Sequence, residues 1–216
     1  MKQETEYSGT FITFEGVEGG GKSSRCTTLI EHMLNLDLEV VHTREPGGPP
    51  TAEKVRAILL DTEMEVTPLT ELMLYLASRA SNVDLLIRPA LQSGIHVVCE
   101  RYSDATYAYQ IGGRKLPAKP VREANKLATG GLVPDLIILL DLDPEEGLRR
   151  LGKQGRTRDR IELEKIEFHR RVRQQYLEMA SEENSKYFVV DASLSPVTQD
   201  LMIREKVMSM IKEKSN

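Results

Sequence analysis

Residues 14–24 read FEGVEGGGKSS, and no other stretch restricts the fold of this chain so tightly. Gly16, Gly21, Lys22 and Ser23 satisfy G-x-x-x-x-G-K-[ST], a pattern that works only where a strand runs into a helix. The flanks supply both elements. TFITFE (10–15) is an apolar strand pattern, and KSSRCTTLIEHMLNL (22–36) sets Leu29, Ile30, Met33 and Leu34 on one helical face. Such a loop wraps a phosphate with backbone N–H groups. Glycine tolerates the dihedrals this needs, and the helix N-terminus adds partial positive charge. Gly16, Val17, Glu18, Gly19, Gly20, Gly21, Lys22, Ser23 and Ser24 are therefore expected to hold a nucleoside triphosphate. Lys22 should reach its β- and γ-phosphates and Ser23 should ligate Mg²⁺.

The rest of the chain repeats the alternation. Further strands are expected at 38–43, 95–100, 135–143 and 187–192. Helices are expected at 51–61, 67–94 (one long helix, bent late by Pro89 and capped by Gly94), 119–131, 162–184 and 195–214. Residues 144–155 start as a helix and decay into a basic loop. Strands apolar on both faces, each followed by a helix, predict an α/β fold with a five-stranded parallel sheet and helices on both faces. The 216 residues suit a single domain behind a short polar tail at 1–9.

Composition narrows the partners. The formal charge is −4, so no global basic field recruits nucleic acid, and any anion site must be local. No apolar run reaches membrane-spanning length and the start lacks a signal-peptide core, which predicts a cytoplasmic protein with no membrane partner. The two cysteines, Cys26 and Cys99, read as buried thiols rather than a disulfide.

A phosphate loop serves GTPases, ATPases and small-molecule kinases alike. A GTPase needs a guanine reader of the N-K-x-D type. NKLA (125–128) begins that way but ends in Ala and lies in a helical pattern. A kinase predicts a second set of cations for its acceptor and a basic lid over its donor. Arg44 follows the second strand, and Glu100 and Arg101 close the third, at carboxyl ends that face the ligand crevice. Residues 152–160 bring Lys153, Arg156, Arg158 and Arg160 together as a candidate lid. The loop positions Val17 to Gly20 hold no arginine, so cationic help in the transition state should come from that lid.

FEGVEGGGKSS, TREPGG, LYLASRA, ERYSDATYAYQIGGR and PDLIILLDLDPEEGLRR, in this order and followed by the basic lid, make the chain similar to thymidylate kinases from residue 10 onward. The lid-borne arginines resemble those of the bacterial-type members. The resemblance implies a homodimer that passes the γ-phosphoryl group of Mg-ATP to dTMP in dTTP biosynthesis. It implies Lys22, Arg101, Arg156 and Arg158 as catalytic residues, and Ser23 and Glu100 at the metal. Arg44 and Arg101 would clamp the dTMP phosphate and Glu18 would meet the sugar 3′-hydroxyl. Tyr75 and Arg79 would hold the thymine ring, Thr106 and Gln110 would contact the base, and Tyr109 would crowd the 2′ position. Three positions depart from the family pattern: Glu100 where Asp is commoner, Ala105 where Ser is usual, and Tyr75 where Phe is frequent. The competing readings are another nucleotide or nucleoside kinase, and a nucleotide-dependent switch. The long 67–94 helix is the candidate dimer surface.

Overall fold

The computed structural model describes residues 7–153 and 159–214. Five parallel strands, β1 (Phe11–Glu15), β2 (Val40–Arg44), β3 (His96–Glu100), β4 (Leu136–Asp141) and β5 (Tyr187–Asp191), lie in the order β2-β3-β1-β4-β5. The all-parallel α/β fold expected from the alternation is present. β1 is buried throughout and sits centrally, pairing Phe14 with Glu100 of β3 and Glu15 with Leu139 of β4.

Helices cover both faces. On one, α1 (Lys22–Leu34), α8 (Ile166–Glu182) and α9 (Pro196–Lys214) pack Leu29, Met33, Val172, Tyr176, Ile203 and Val207 onto Ile12, Val98 and Ile138. On the other, Val83, Ile87 and Leu91 meet Phe11, Val97, Cys99 and Tyr102. Cys26 and Cys99 are free and buried on opposite faces, as the composition suggested. The remaining helices are α2 (Pro50–Leu60), α6 (Ala118–Thr129) and α7 (Pro144–Gly152). NKLA lies inside α6, where Asn125 hydrogen bonds Tyr107 and Arg79, so it is no guanine reader.

Two helical regions differ from expectation. The long helix divides into α3 (Pro68–Asn82), one π-helical turn (Val83–Ile87) and α4 (Arg88–Gln92). The irregularity lies late in the segment, as expected, in the turn just before Pro89. Proline has no N–H and its ring collides with the carbonyl four residues back, so the preceding turn widens. The Arg88 N–H accordingly reaches back five residues to the Val83 carbonyl. Gly94 follows with φ 80°, the left-handed terminus its position suggested. After β3 the chain forms α5 (Ser103–Thr106) and a second π-helical stretch (Tyr107–Gly113), which the periodicity did not announce.

The phosphate loop is fixed by close backbone approach. Gly16 has φ 132°, and a β-carbon there would lie 2.4 Å from the Leu140 carbonyl oxygen. Gly19 has φ 71° and presses on α7, where a β-carbon would meet the Gly147 carbonyl oxygen at 2.2 Å. The contact is reciprocal, because a β-carbon on Gly147 would lie 2.2 Å from the Glu18 carbonyl oxygen. Gly147→Ala therefore sets two effects against each other. Helix propensity favours Ala by roughly 0.5–1 kcal/mol, while forced overpacking against backbone costs about 1–3 kcal/mol. Overpacking should win, so the variant should show a lower urea midpoint and weaker ATP binding. A midpoint at or above that of the parent would show that α7 moves away without cost.

Candidate active site

The carboxyl ends of β1, β2 and β3 open into one cavity of about 770 Å³. Lys22, Ser23, Ser24, Glu18, Arg44, Tyr75, Arg79, Glu100, Arg101, Thr106, Tyr109 and Gln110 all line it, so residues separated by up to 92 positions converge as the sequence reading required.

The Lys22 side chain folds over the loop and donates from Nζ to the carbonyls of Gly16 (3.1 Å) and Val17 (2.8 Å). Burial, aided by the charge of Arg101, brings its ammonium down to about 8. Ser23 Oγ donates to Glu100 Oε1 at 3.0 Å. Glu100 thus contacts the serine of the phosphate loop and makes no bond to the neighbouring Arg101 side chain. Arg101 turns instead to Glu18.

Arg101 follows β3 with φ 66°, an unusual backbone for a side chain of this size. The turn carries its guanidinium over the phosphate loop. Nη1 donates to the Gly16 carbonyl at 3.1 Å and Nη2 to Glu18 Oε1 at 2.6 Å. Tyr109 donates its hydroxyl to the same Glu18 oxygen at 2.8 Å, and the Arg101 guanidinium lies 5.0 Å from the Tyr109 ring centre. Burial alone would raise the Glu18 carboxyl. Arg101 first, then Lys22 and the Tyr109 hydrogen bond, override it and hold the group at about 2.

Arg44 lines the outer cavity and spans Glu53 through Nη2, at 3.0 and 3.1 Å. Arg56 of α2, which the sequence reading passed over, also lines the cavity and donates to the Pro46 carbonyl at 2.8 Å. A signal was available. Ala52, Arg56 and Leu59 share one face of α2, and both Ala52 and Leu59 are fully buried. A cation on the inward face of an amphipathic helix calls for an anion. Glu45, Pro46, Asp159 and Glu162 are further lining residues not foreseen.

Arg79 is 1% exposed, which rules out a surface charge on the long helix. Nε and Nη2 engage Glu45 Oε2, both at 2.7 Å. Nη1 donates to Thr106 and Asn125, and Nη2 also reaches the Tyr102 carbonyl. Four of its five N–H groups thus hydrogen bond within the protein, and Nη2 also ion-pairs Glu45. A direct bidentate bond from Arg79 to a base carbonyl requires exchanging some of them.

The basic loop divides. Arg156 and Arg158 lie outside the described residues, as does most of the 152–160 segment. Gly152 ends α7. Arg160 is no free lid cation, because it pairs with buried Glu71 and donates to the Leu59 carbonyl.

A phosphate loop on a parallel sheet, sharing one cavity with a set of separately anchored cations, defines a P-loop phosphotransferase for a small anionic acceptor. The comparisons agree. The family model described as thymidylate kinase matches residues 14–202. A thymidylate kinase of Trichlorobacter lovleyi is 42% identical over 93% of this chain and 98% of its own. One from Pelobacter propionicus is 46% identical over 86% and 87%. A crystal structure of thymidylate kinase from Ehrlichia chaffeensis superposes with TM-score 0.75 at 27% identity, covering 93% of this chain and 98% of that one. The chain belongs to the thymidylate kinase family.

The Glu18 environment fixes a pH dependence. A carboxyl depressed to about 2 contributes stability that is fully present above its unfolded value near 4.5 and is lost as pH falls through 2. Glu18→Gln should therefore destabilise the protein at pH 7, by a free energy on the order of 3 kcal/mol at most. That difference should shrink as urea titrations move from pH 5 to pH 3. A gap that stays constant over this range would refute the coupling to Arg101.

Proposed function

We propose that this protein transfers the γ-phosphoryl group of ATP to the 5′-phosphate oxygen of dTMP, giving dTDP for dTTP synthesis. The observation that carries the reading is the shared cavity. Lys22 and the phosphate loop line it together with Arg44, Arg56 and Arg101, and so do half-buried Tyr75 and the buried Thr106 and Gln110.

The acceptor oxygen is already anionic, so the reaction needs no strong general base. The difficulty is to bring two polyanions together, and the chain answers it with positioned charge. Lys22 and the loop N–H groups hold the donor phosphates. Arg101 is placed by Glu18 and Gly16 to meet the acceptor phosphate where it approaches the donor, with Arg44 and Arg56 outside it. Arg156 and Arg158 are assigned to the transferring group. Tyr75 is assigned to stack on the base, and Glu18 and Tyr109 to the sugar.

Mg²⁺ belongs to the same proposal. The Ser23 hydroxyl and Glu100 carboxylate are hard oxygen donors side by side, and among the described residues no cluster of three or more His, Cys, Asp or Glu forms a cage. That fits a cation held mostly by phosphate and water. Bound with ATP, it would supply positive charge that offsets the negative charge spread over the phosphate oxygens. A homodimer is supported by Leu69, Met73 and Leu85, exposed large apolar residues along α3 and the turn that follows it. A cytoplasmic location is supported by two free buried thiols. Among the described residues no helix is long and apolar enough to cross a membrane.

The test is ADP formation from Mg-ATP with dTMP, dUMP, dCMP, dAMP, dGMP, UMP and thymidine. dTMP should turn over fastest and dUMP more slowly, the missing methyl being worth roughly 10–200-fold at most. Hydrolysis indifferent to the acceptor would indicate a nucleotide-dependent switch. Lys22→Ala should keep the fold, by circular dichroism, and lose about 10²-fold or more in kcat. Full retention would remove Lys22 from the chemistry. Arg158→Ala should lower kcat while leaving the KM for dTMP within about threefold. A change confined to KM would contradict a transition-state role.

A further inference from the structure

Glu71 lies in the first turn of α3, is fully buried, and does not line the cavity. Every hydrogen bond it makes is accepted. Oε1 takes Nε2–H of Gln110 at 2.7 Å and Nε–H of Arg114 at 3.0 Å. Oε2 takes Nη2–H of Arg114 at 3.0 Å and the Arg160 guanidinium. Burial works against its charge, but the hydrogen bonds from Arg114 and Gln110 prevail and keep the carboxyl below its ordinary value. At neutral pH Glu71 is an anion and only an acceptor.

Gln110 is fully buried and lines the cavity. Its amide has one accepting and one donating edge, which X-ray maps rarely tell apart, so the partners decide the orientation. An anion below it admits only the donating edge. Oε1, the other end of the amide, is buried with no hydrogen-bond partner among the described residues, in a side chain that lines the cavity.

We propose that Glu71 is a specificity-determining positioning residue: by locking the Gln110 amide with its oxygen toward the cavity, it selects acceptor bases that carry a ring N–H donor. The inference rests on the kinase reading above. A 4-keto pyrimidine, thymine or uracil, offers N3–H to that oxygen. Cytosine offers an unprotonated N3, which sets two lone pairs against each other. Rejection by an unsatisfied buried polar group is stronger than rejection by shape. The same carboxylate holds Arg160, so the segment leading out of the basic loop is tied to the wall that reads the base.

The closing experiment measures kcat/KM for dTMP, dUMP and dCMP, with dCMP also assayed as a competitive inhibitor against dTMP. Glu71→Gln keeps the shape and removes the constraint. With its N–H turned to Gln110 the new amide gives up the Arg114 Nε bond and keeps its oxygen on Arg114 Nη2 and Arg160, so the Gln110 amide reverses. The dTMP-to-dCMP ratio of kcat/KM should fall about tenfold or more, and dCMP should inhibit at lower concentration. In a Gln110→Leu background the same substitution should leave the ratio within about twofold, because the relay has gone. If Glu71→Gln alone does not fold, Glu71→Gln with Arg160→Gln leaves less unpaired positive charge and reads the same ratio.

A parallel loss for all three acceptors with an unchanged ratio would make Glu71 purely structural and overturn the proposal. So would an equal fall in the ratio with and without Gln110. Wild-type turnover of dTMP is the separate control. Its absence would sink the kinase reading, whereas its presence with an unmoved ratio sinks only the role of Glu71.

Discussion

A site for two polyanions must hold its cations together before the anions arrive, and the rest of this structure follows from that constraint. Two like charges about 5 Å apart at an effective dielectric near 20 repel by roughly 3 kcal/mol. The cavity contains Lys22, Arg44, Arg56, Arg79 and Arg101. Each is offset locally: Lys22 by two loop carbonyls, Arg44 by Glu53, Arg56 by a carbonyl, Arg79 by Glu45, Arg101 by Glu18. The partners differ in how readily they yield. Carbonyls and the half-exposed Glu53 release a cation to a phosphate at little cost, whereas buried Glu45 does not. Lys22, Arg44 and Arg56, whose partners are weak, are assigned to phosphate, while Arg101 meets it still paired to Glu18.

The backbone serves the same end. Strand ends bring Glu15 to Gly16, Arg44 to Glu45 and Glu100 to Arg101 into one crevice, since β1, β2 and β3 are parallel and adjacent through β3. Arg101 adopts a left-handed backbone, and Gly16 and Gly19 approach neighbouring carbonyls more closely than any side chain permits. Backbone strain of this kind persists only where surrounding contacts over-determine it. Here the ion pair to Glu18 and the packing of α7 supply them.

The five strands, the phosphate loop and most helices could be read from sequence because their signals are local and apolar. The stretch after β3 could not. Thr106, Tyr109 and Gln110 turn their face toward a polar cavity, so the inward side of that helix carries none of the hydrophobic periodicity that marks a helix. Arg56 escaped for the related reason that a charged residue on a helix is ordinarily assigned to solvent. Arg160 groups with the loop cations in sequence because it is two to seven residues from them. Its partner, Glu71, is 89 positions away, and only the fold brings them together. Residues that read a ligand are the hardest to see in a pattern, because they break the rules that make patterns.

In the base recess proposed above, buried Glu71 sits behind Gln110. The carboxylate is costly to bury, and a neutral partner could satisfy the same hydrogen bonds more cheaply. A neutral amide or hydroxyl, however, can rotate and exchange donor for acceptor. A carboxylate that stays ionised cannot. Placed behind a residue that has two possible hydrogen-bonding faces, it removes one of them. The penalty of burying charge then becomes the source of discrimination, since any ligand demanding the other face must first neutralise an ion held by two arginines.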